Sequence, residues 1–230
     1  MDNLQYIYIV CMIFIIAIVI YSFSFTKEGF ENISVNNLTV NINMPLPIIY
    51  ENFLTDDECE YFKSVAEPHM ERSHVLSNNT PISDVRTSYQ TFLDKTDPYV
   101  INLYNRISAI VGVPVENFES FQVARYYPSQ EYKAHYDACD LVDKECVEDM
   151  KRGGLRLYTC LMYLSDEFTG GATDFPNLNV KVQPKKGMAV FFRNLNKDRT
   201  RPTEFFHAGM PVLSGTKYIA NCWIRESEFK

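Results

Sequence analysis

The chain has no internal repeat, no block of basic residues and no Cys-x-x-Cys pair. Without a repeat, one ordinary domain is expected rather than an array of units. Acidic residues outnumber basic ones, 29 to 22, for a net charge of -7. That balance argues against nucleic acid as the main partner. Cys11 lies in an apolar N-terminal stretch, and the cysteines beyond it are odd in number. With no Cys-x-x-Cys among them, a structural zinc site is not expected. Histidine is scarce as well, with four in the whole chain.

The 230 residues are 46% hydrophobic, enough to bury one sizeable core and leave extras. The first extra runs from Tyr6 to Phe25 without a charged residue. Roughly 20 apolar residues cross a bilayer. A basic n-region and an A-x-A-like cleavage site are both missing, so a signal-anchor is favoured over a cleaved signal. Residues 1–25 are read as a transmembrane anchor. Residues 26–44, polar and Asn-rich, are read as a stalk, and 45–230 as the folded domain. Asp2 before the anchor and Lys27 after it give the positive-inside rule no grip on a lumenal C-terminus. Glycosylation acceptors at Asn32, Asn37 and Asn78 point the other way. The expectation is a single-pass membrane protein of the endoplasmic reticulum with a lumenal domain.

Within that domain, Ile48 to Tyr50 reads as a strand. Thr55-Asp56-Asp57-Glu58 forms a capping box for a helix with Cys59, Phe62 and Val65-Ala66 on its apolar side. Gln90 to Leu93 reads as a strand. Asp97 caps a second helix, with Pro98 at its first position and Gly112 at its end. From Ser120 onward strands dominate: Arg156 to Leu164, Val180 to Val182, Met188 to Arg193 and Tyr218 to Arg225. Gly170-Gly171, Pro184 to Gly187 and Ser214-Gly215 separate them. Helices followed by many short strands imply an α+β fold, with helices flanking a β-sandwich or jelly roll.

The chemistry-bearing stretch is RYYPSQEYKAHYD, residues 125–137. If His135 and Asp137 sit on a strand, both project to one face. A non-heme iron(II) site takes an imidazole and a carboxylate in this way and a second histidine from elsewhere. His69 and His74 read as ordinary surface residues beside the first helix. His207, before the last strand, is the remaining candidate. Lys217 follows at the start of an apolar run. A lysine turned into a sheet sandwich is costly unless it meets an anion, and a dicarboxylate cosubstrate is such an anion. Cys139 and Cys146 are spaced either to close a short loop by a disulfide in an oxidising compartment or to stay as buried thiols.

These motifs resemble the catalytic domain of prolyl 4-hydroxylases, in the iron(II)- and 2-oxoglutarate-dependent dioxygenase superfamily. The resemblance spans about residues 48–228: IYENFLTDDEC, RTSYQTFL, RYYPSQEYKAHYD, RLYTCLMYLSD, GGATDFP, VQPKKGMAVFF and HAGMPVLSGTKYIANCWI. It implies a double-stranded β-helix core with iron(II) on His135, Asp137 and His207. Lys217 and Tyr126 would hold the distal carboxylate of 2-oxoglutarate, with Thr159 and Thr173 lining that pocket. Tyr132 and Arg156 would meet a proline-rich or collagen-like peptide, although Arg156 can equally pair with an acid such as Asp140. Oxygen would be the second cosubstrate and ascorbate the reductant. The family's frequent Gly-Gln is Ser129-Gln130 here, and its Lys-Trp is Lys217-Tyr218. The other readings are a 2-oxoglutarate oxygenase acting on lysine or a small molecule, and a non-catalytic jelly-roll binding module.

Overall fold

The computed structural model describes residues 46–73 and 84–230. Along the chain these form β1 (Ile48–Tyr50), α1 (Asp56–Ala66), β2 (Glu71–Arg72), β3 (Tyr89–Leu93), α2 (Pro98–Val111), β4 (Phe121–Tyr126) and β5 (Tyr132–His135). Next come α3 (Lys144–Met150), β6 (Arg156–Tyr163), β7 (Phe168–Gly170), β8 (Thr173–Phe175), β9 (Val180–Val182) and β10 (Ala189–Arg193). The last are β11 (His207–Gly209), β12 (Val212–Gly215) and β13 (Lys217–Arg225). The expected anchor, stalk and glycosylation acceptors, and His74, lie outside the described residues. Among the described residues, no helix is long and apolar enough to cross a membrane.

Local chemistry explains the helix ends. The Thr55 side chain accepts from Glu58 N, and the Glu58 carboxylate accepts from Thr55 N, which completes the capping box. Asp97 accepts from the amides of Tyr99 and Val100. Gly112 ends α2 at φ 68, a left-handed conformation that suits glycine.

Among the described residues the main sheet runs β1-β10-β6-β13-β4-β3-β2. A second sheet runs β5-β11-β8-β9, and β12 pairs with β7. Alternation along the strands sends their side chains to two different cores. From β6, Tyr158, Cys160 and Met162 pack with Phe62, Leu103 and Ile107 of the helices. From the other face, Leu161 and Tyr163 join Phe192, Phe175, Val182 and Phe205, between the two sheets. This is a mostly-sheet α+β fold with the N-terminal helices on the outer face, consistent with the expected jelly roll.

The structure settles the cysteines that the sequence left open. Cys139 and Cys146 form a disulfide, while Cys59, Cys160 and Cys222 are free and buried. It also explains Ser129. This residue has φ 68 in the turn between β4 and β5, so the glycine common there in the family fits a left-handed position.

Candidate active site

β5 and β11 are antiparallel neighbours and set His135 directly opposite His207. Their ring centroids lie 4.4 Å apart. Asp137 Oδ1 lies 3.3 Å from His135 Nε2 and 3.9 Å from His207 Nε2. Ligand atoms of the three residues all fall within 4.8 Å of one another. The H-x-D spacing thus unites the pair by another route than strand alternation. β5 ends at His135, and Asp137 converges from the bend that follows.

The surroundings decide which atoms face the centre. A carbonyl only accepts, so His135 Nδ1 donates to Lys133 O at 2.8 Å and His207 Nδ1 to Phe205 O at 2.9 Å. Both Nε2 lone pairs are then left for the centre. On Asp137, Oδ2 accepts from Thr159 Oγ1 at 2.6 Å and from Trp223 Nε1 at 3.0 Å, leaving Oδ1 toward the imidazoles. Burial by itself would raise the Asp137 carboxyl, but His207, His135 and Arg156 hold it well below the usual carboxylate range. Burial, with repulsion from His135, lowers His207 to about 4. A carboxylate and a neutral His207 are the protonation states that metal ligation needs.

Lys217 opens β13 and pairs across the sheet with Tyr126. It is 3% exposed, and its Nζ donates to Gly171 O at 2.6 Å. No charge offsets its burial, which pushes the ammonium down to about 7. Gly171 has φ +64, and a Cβ there would stand 2.8 Å from the Phe168 ring and 3.1 Å from Lys217 Cδ. Glycine is therefore what lets this carbonyl reach the lysine. Tyr126, Thr173 and Lys217 share an inner pocket of about 40 Å³ with the His135, Asp137 and His207 side chains. An outer cleft of about 950 Å³ shares Tyr132, His135, Asp137 and Trp223 with it. The triad thus stands where a small charged pocket meets a long open cleft.

Three of the expected site residues are already engaged within the chain. The Thr159 hydroxyl is committed to Asp137 and accepts from Asn194 Nδ2 at 2.8 Å, so it orients the carboxylate rather than lining a cosubstrate pocket. Arg156 is engaged: Nε and Nη2 donate to Glu119 at 2.6 and 2.8 Å, and Nη1 to the Asp137 carbonyl at 3.1 Å. Its partner is Glu119, whereas Asp140 pairs with Arg201. One face of the Tyr132 ring is covered by His135, stacked at 3.5 Å and 15°. The Arg86 guanidinium lies 4.9 Å from the same ring and donates to Ser88 and Gln122. His69 is exposed, as expected.

Trp223, Asn194, Glu119 and Arg86 were not singled out from the sequence. Trp223 carried a usable signal: alternation from Lys217 puts residues 219, 221 and 223 on the same inner face.

The comparisons agree with this geometry. Residues 121–225 match the family model of the 2OG-Fe(II) oxygenase superfamily. A putative prolyl 4-hydroxylase of Acanthamoeba polyphaga mimivirus is 40% identical over 193 residues, covering 82% of this chain and 78% of the relative. Prolyl 4-hydroxylase 2 of Arabidopsis thaliana is 37% identical over 210 residues, covering 80% of this chain and 69% of the relative. The viral collagen prolyl hydroxylase of Paramecium Bursaria Chlorella virus-1, solved with 2-oxoglutarate, superposes with a TM-score of 0.63. It is 34% identical, and the match covers 80% of this chain and 97% of that one. With identity of this extent over most of the chain, and with the family model spanning the stretch that holds His135, Asp137, His207 and Lys217, this chain belongs to the prolyl 4-hydroxylase family of 2OG-Fe(II) oxygenases.

Proposed function

We propose that this chain hydroxylates peptidyl proline to 4-hydroxyproline, consuming oxygen and 2-oxoglutarate. One observation carries the reading. A two-imidazole, one-carboxylate donor set stands beside a buried ammonium with no anionic partner. The donors fit iron(II), because two neutral nitrogens and one carboxylate oxygen leave part of its coordination sphere open to a cosubstrate. The lysine fits a dicarboxylate, because an external anion would supply the charge that its surroundings withhold. When bound, iron, 2-oxoglutarate and oxygen supply the oxidation, releasing succinate and carbon dioxide.

The chain's own residues supply position and electrostatics. Thr159 and Trp223 fix the Asp137 carboxylate through Oδ2. Lys133 and Phe205 carbonyls hold the two imidazoles. Lys217, with Tyr126 and Thr173 around the inner pocket, takes the far carboxylate of 2-oxoglutarate. An extended proline-rich chain suits an open cleft, since its polyproline twist leaves the backbone carbonyls unpaired. Tyr132 and Arg156 line that cleft, and Arg156 keeps two of its five donors beyond the three bonds described. Ascorbate is the proposed reductant. We place residues 1–25 in the endoplasmic reticulum membrane with the domain in the lumen, and protease added to sealed microsomes checks this by sparing the domain.

The functional test is direct. The purified chain is incubated with iron(II), 2-oxoglutarate and proline-rich peptides, and the peptides are weighed. A gain of one oxygen on proline, with matching succinate, is expected. Succinate formation with oxygen placed on lysine or on no peptide at all overturns the proline assignment.

A further inference from the structure

The link from β5 to β6, residues 136–155, is long and carries only the short helix α3. Asp140, Asp143, Glu145 and Arg152 from this link line the outer cleft. Its own apolar support is a small cluster: Ala138, Cys146 and Leu155 pack with Leu195, with Cys139, Met150 and Leu157 against them. Polar and covalent bonds add to it.

Two ties do so. The first is the Cys139–Cys146 disulfide. The second is Arg225, on the inner face of β13 and 0% exposed. All five of its donors are matched. Nε donates to Glu119 at 2.7 Å, and Nη1 to the carbonyls of Asp149 and Gly154 at 3.1 and 2.7 Å. Nη2 donates to both Asp149 carboxylate oxygens at 3.0 and 2.9 Å. A buried guanidinium is costly unless fully paired. Here its partners come from two sides, Glu119 from the segment leading into β4 and Asp149 from the link. Glu119 also grips Arg156, whose Nη1 donates to the Asp137 carbonyl. Burial by itself would raise Glu119, but the two guanidiniums hold it below the usual carboxylate range. A closed ring results: Asp137, Arg156, Glu119, Arg225, Asp149, α3, the disulfide, and Ala138 back to Asp137.

We propose that residues 138–152 are a preset wall of the peptide cleft, and that Arg225 is the positioning residue that fixes this wall to the sheet beneath the metal site. The proposal rests on the peptide-hydroxylase reading above. A wall held ready spares the peptide the cost of ordering it. His135, His207 and Lys217 stand on strands outside the link, and the Asp137 carboxylate is fixed separately through Oδ2 by Thr159 and Trp223, so the ties act chiefly on peptide binding.

The test compares the full chain with Arg225→Lys, Asp149→Asn and the double variant Cys139→Ser/Cys146→Ser. Lysine is a point charge and cannot span both acids. Asp149→Asn and the cysteine pair leave the Glu119–Arg156 pair intact, so they decide the matter if Arg225→Lys does not fold. Each is expected to raise the peptide KM about five- to tenfold, with the KM for 2-oxoglutarate and the iron affinity within about twofold. Hydrogen exchange of the amides in 138–152 is expected to quicken in the same variants. Faster exchange with an unchanged peptide KM overturns the wall. A parallel rise in the 2-oxoglutarate KM, or weaker iron binding, shows that the ties serve the metal site and overturns it too. A parent chain that hydroxylates no proline peptide is a different failure, that of the functional reading itself.

Discussion

Asp137 divides its two oxygens between protein and centre, and its two donors can be removed one at a time. Trp223→Phe deletes the indole N–H and keeps a ring; Thr159→Val deletes the hydroxyl and keeps the shape. Each is expected to weaken iron binding roughly tenfold or more, the usual effect of losing an outer hydrogen bond to a metal ligand. Titration of the apo chain with iron(II) under anaerobic conditions reads this, and unchanged affinity in both variants would show that Oδ2 needs no support. Lys217 makes a second prediction through pH. Unfolded, it holds its proton to 10.5; folded and without cosubstrate, only to about 7. Between those values the unfolded chain binds more protons, so stability rises with pH. Lys217→Met removes the titration. It is expected to be more stable than the parent near pH 7, and the difference should shrink by up to about 1.4 kcal/mol per pH unit toward pH 10.5. A difference that stays flat across that window would mean the ammonium is not desolvated. At this scale the sequence was partly legible. His135, Asp137, His207 and Lys217 announce themselves because ligand chemistry tolerates few residue types. Glu119 and Arg225 do not, because a pair separated by 106 positions leaves no local pattern.

The elements with strong end signals came out where the sequence set them. α2 carries Asp97, Pro98 and Gly112 at its ends, and apolar residues at helical spacing between. α3 was not foreseen. It is short, and its N-cap Asp143 makes no side-chain capping bond. Asp97 does more than cap, since it also accepts from the Tyr61 hydroxyl at 2.5 Å and so links the two helices. Asp97→Ala is expected to cost about 1–2 kcal/mol, or roughly 2–8 °C in Tm. Thermal unfolding checks this, and an unshifted midpoint would deny the cap its role. Gly171→Ala tests the turn before β8. Its methyl would press on Phe168 and Lys217, so both a lower Tm and a higher KM for 2-oxoglutarate are expected. Damage to stability alone would separate the turn from the lysine.

The order of the strands was the least legible feature. Alternation in Arg156–Tyr163 and Lys217–Arg225 identifies strands with two buried faces, yet nothing local says that β13 lies between β6 and β4. That order is set by which faces bury each other across the whole domain. It also sets how ligands couple to stability. A cosubstrate that binds only the assembled pocket is expected to add about 2.7 kcal/mol at a hundred times its Kd. The melting shift given by 2-oxoglutarate with a redox-silent divalent ion should vanish in Lys217→Ala and in His207→Ala. A shift that survives both changes would place the dicarboxylate elsewhere.

The pairing of His135 with His207 has one more consequence, and it concerns time. β5 and β11 are far apart in the chain, and such contacts close late because loop entropy opposes them. A nascent or half-folded chain carries His135 and Asp137 without their second imidazole, and Lys217 without its pocket. It therefore holds iron weakly while its buried thiols and aromatic rings are still open to solvent. Oxidising power arrives only once these distant strands have paired. In refolding experiments, iron uptake should trail the first collapse and appear with the slow return of native structure.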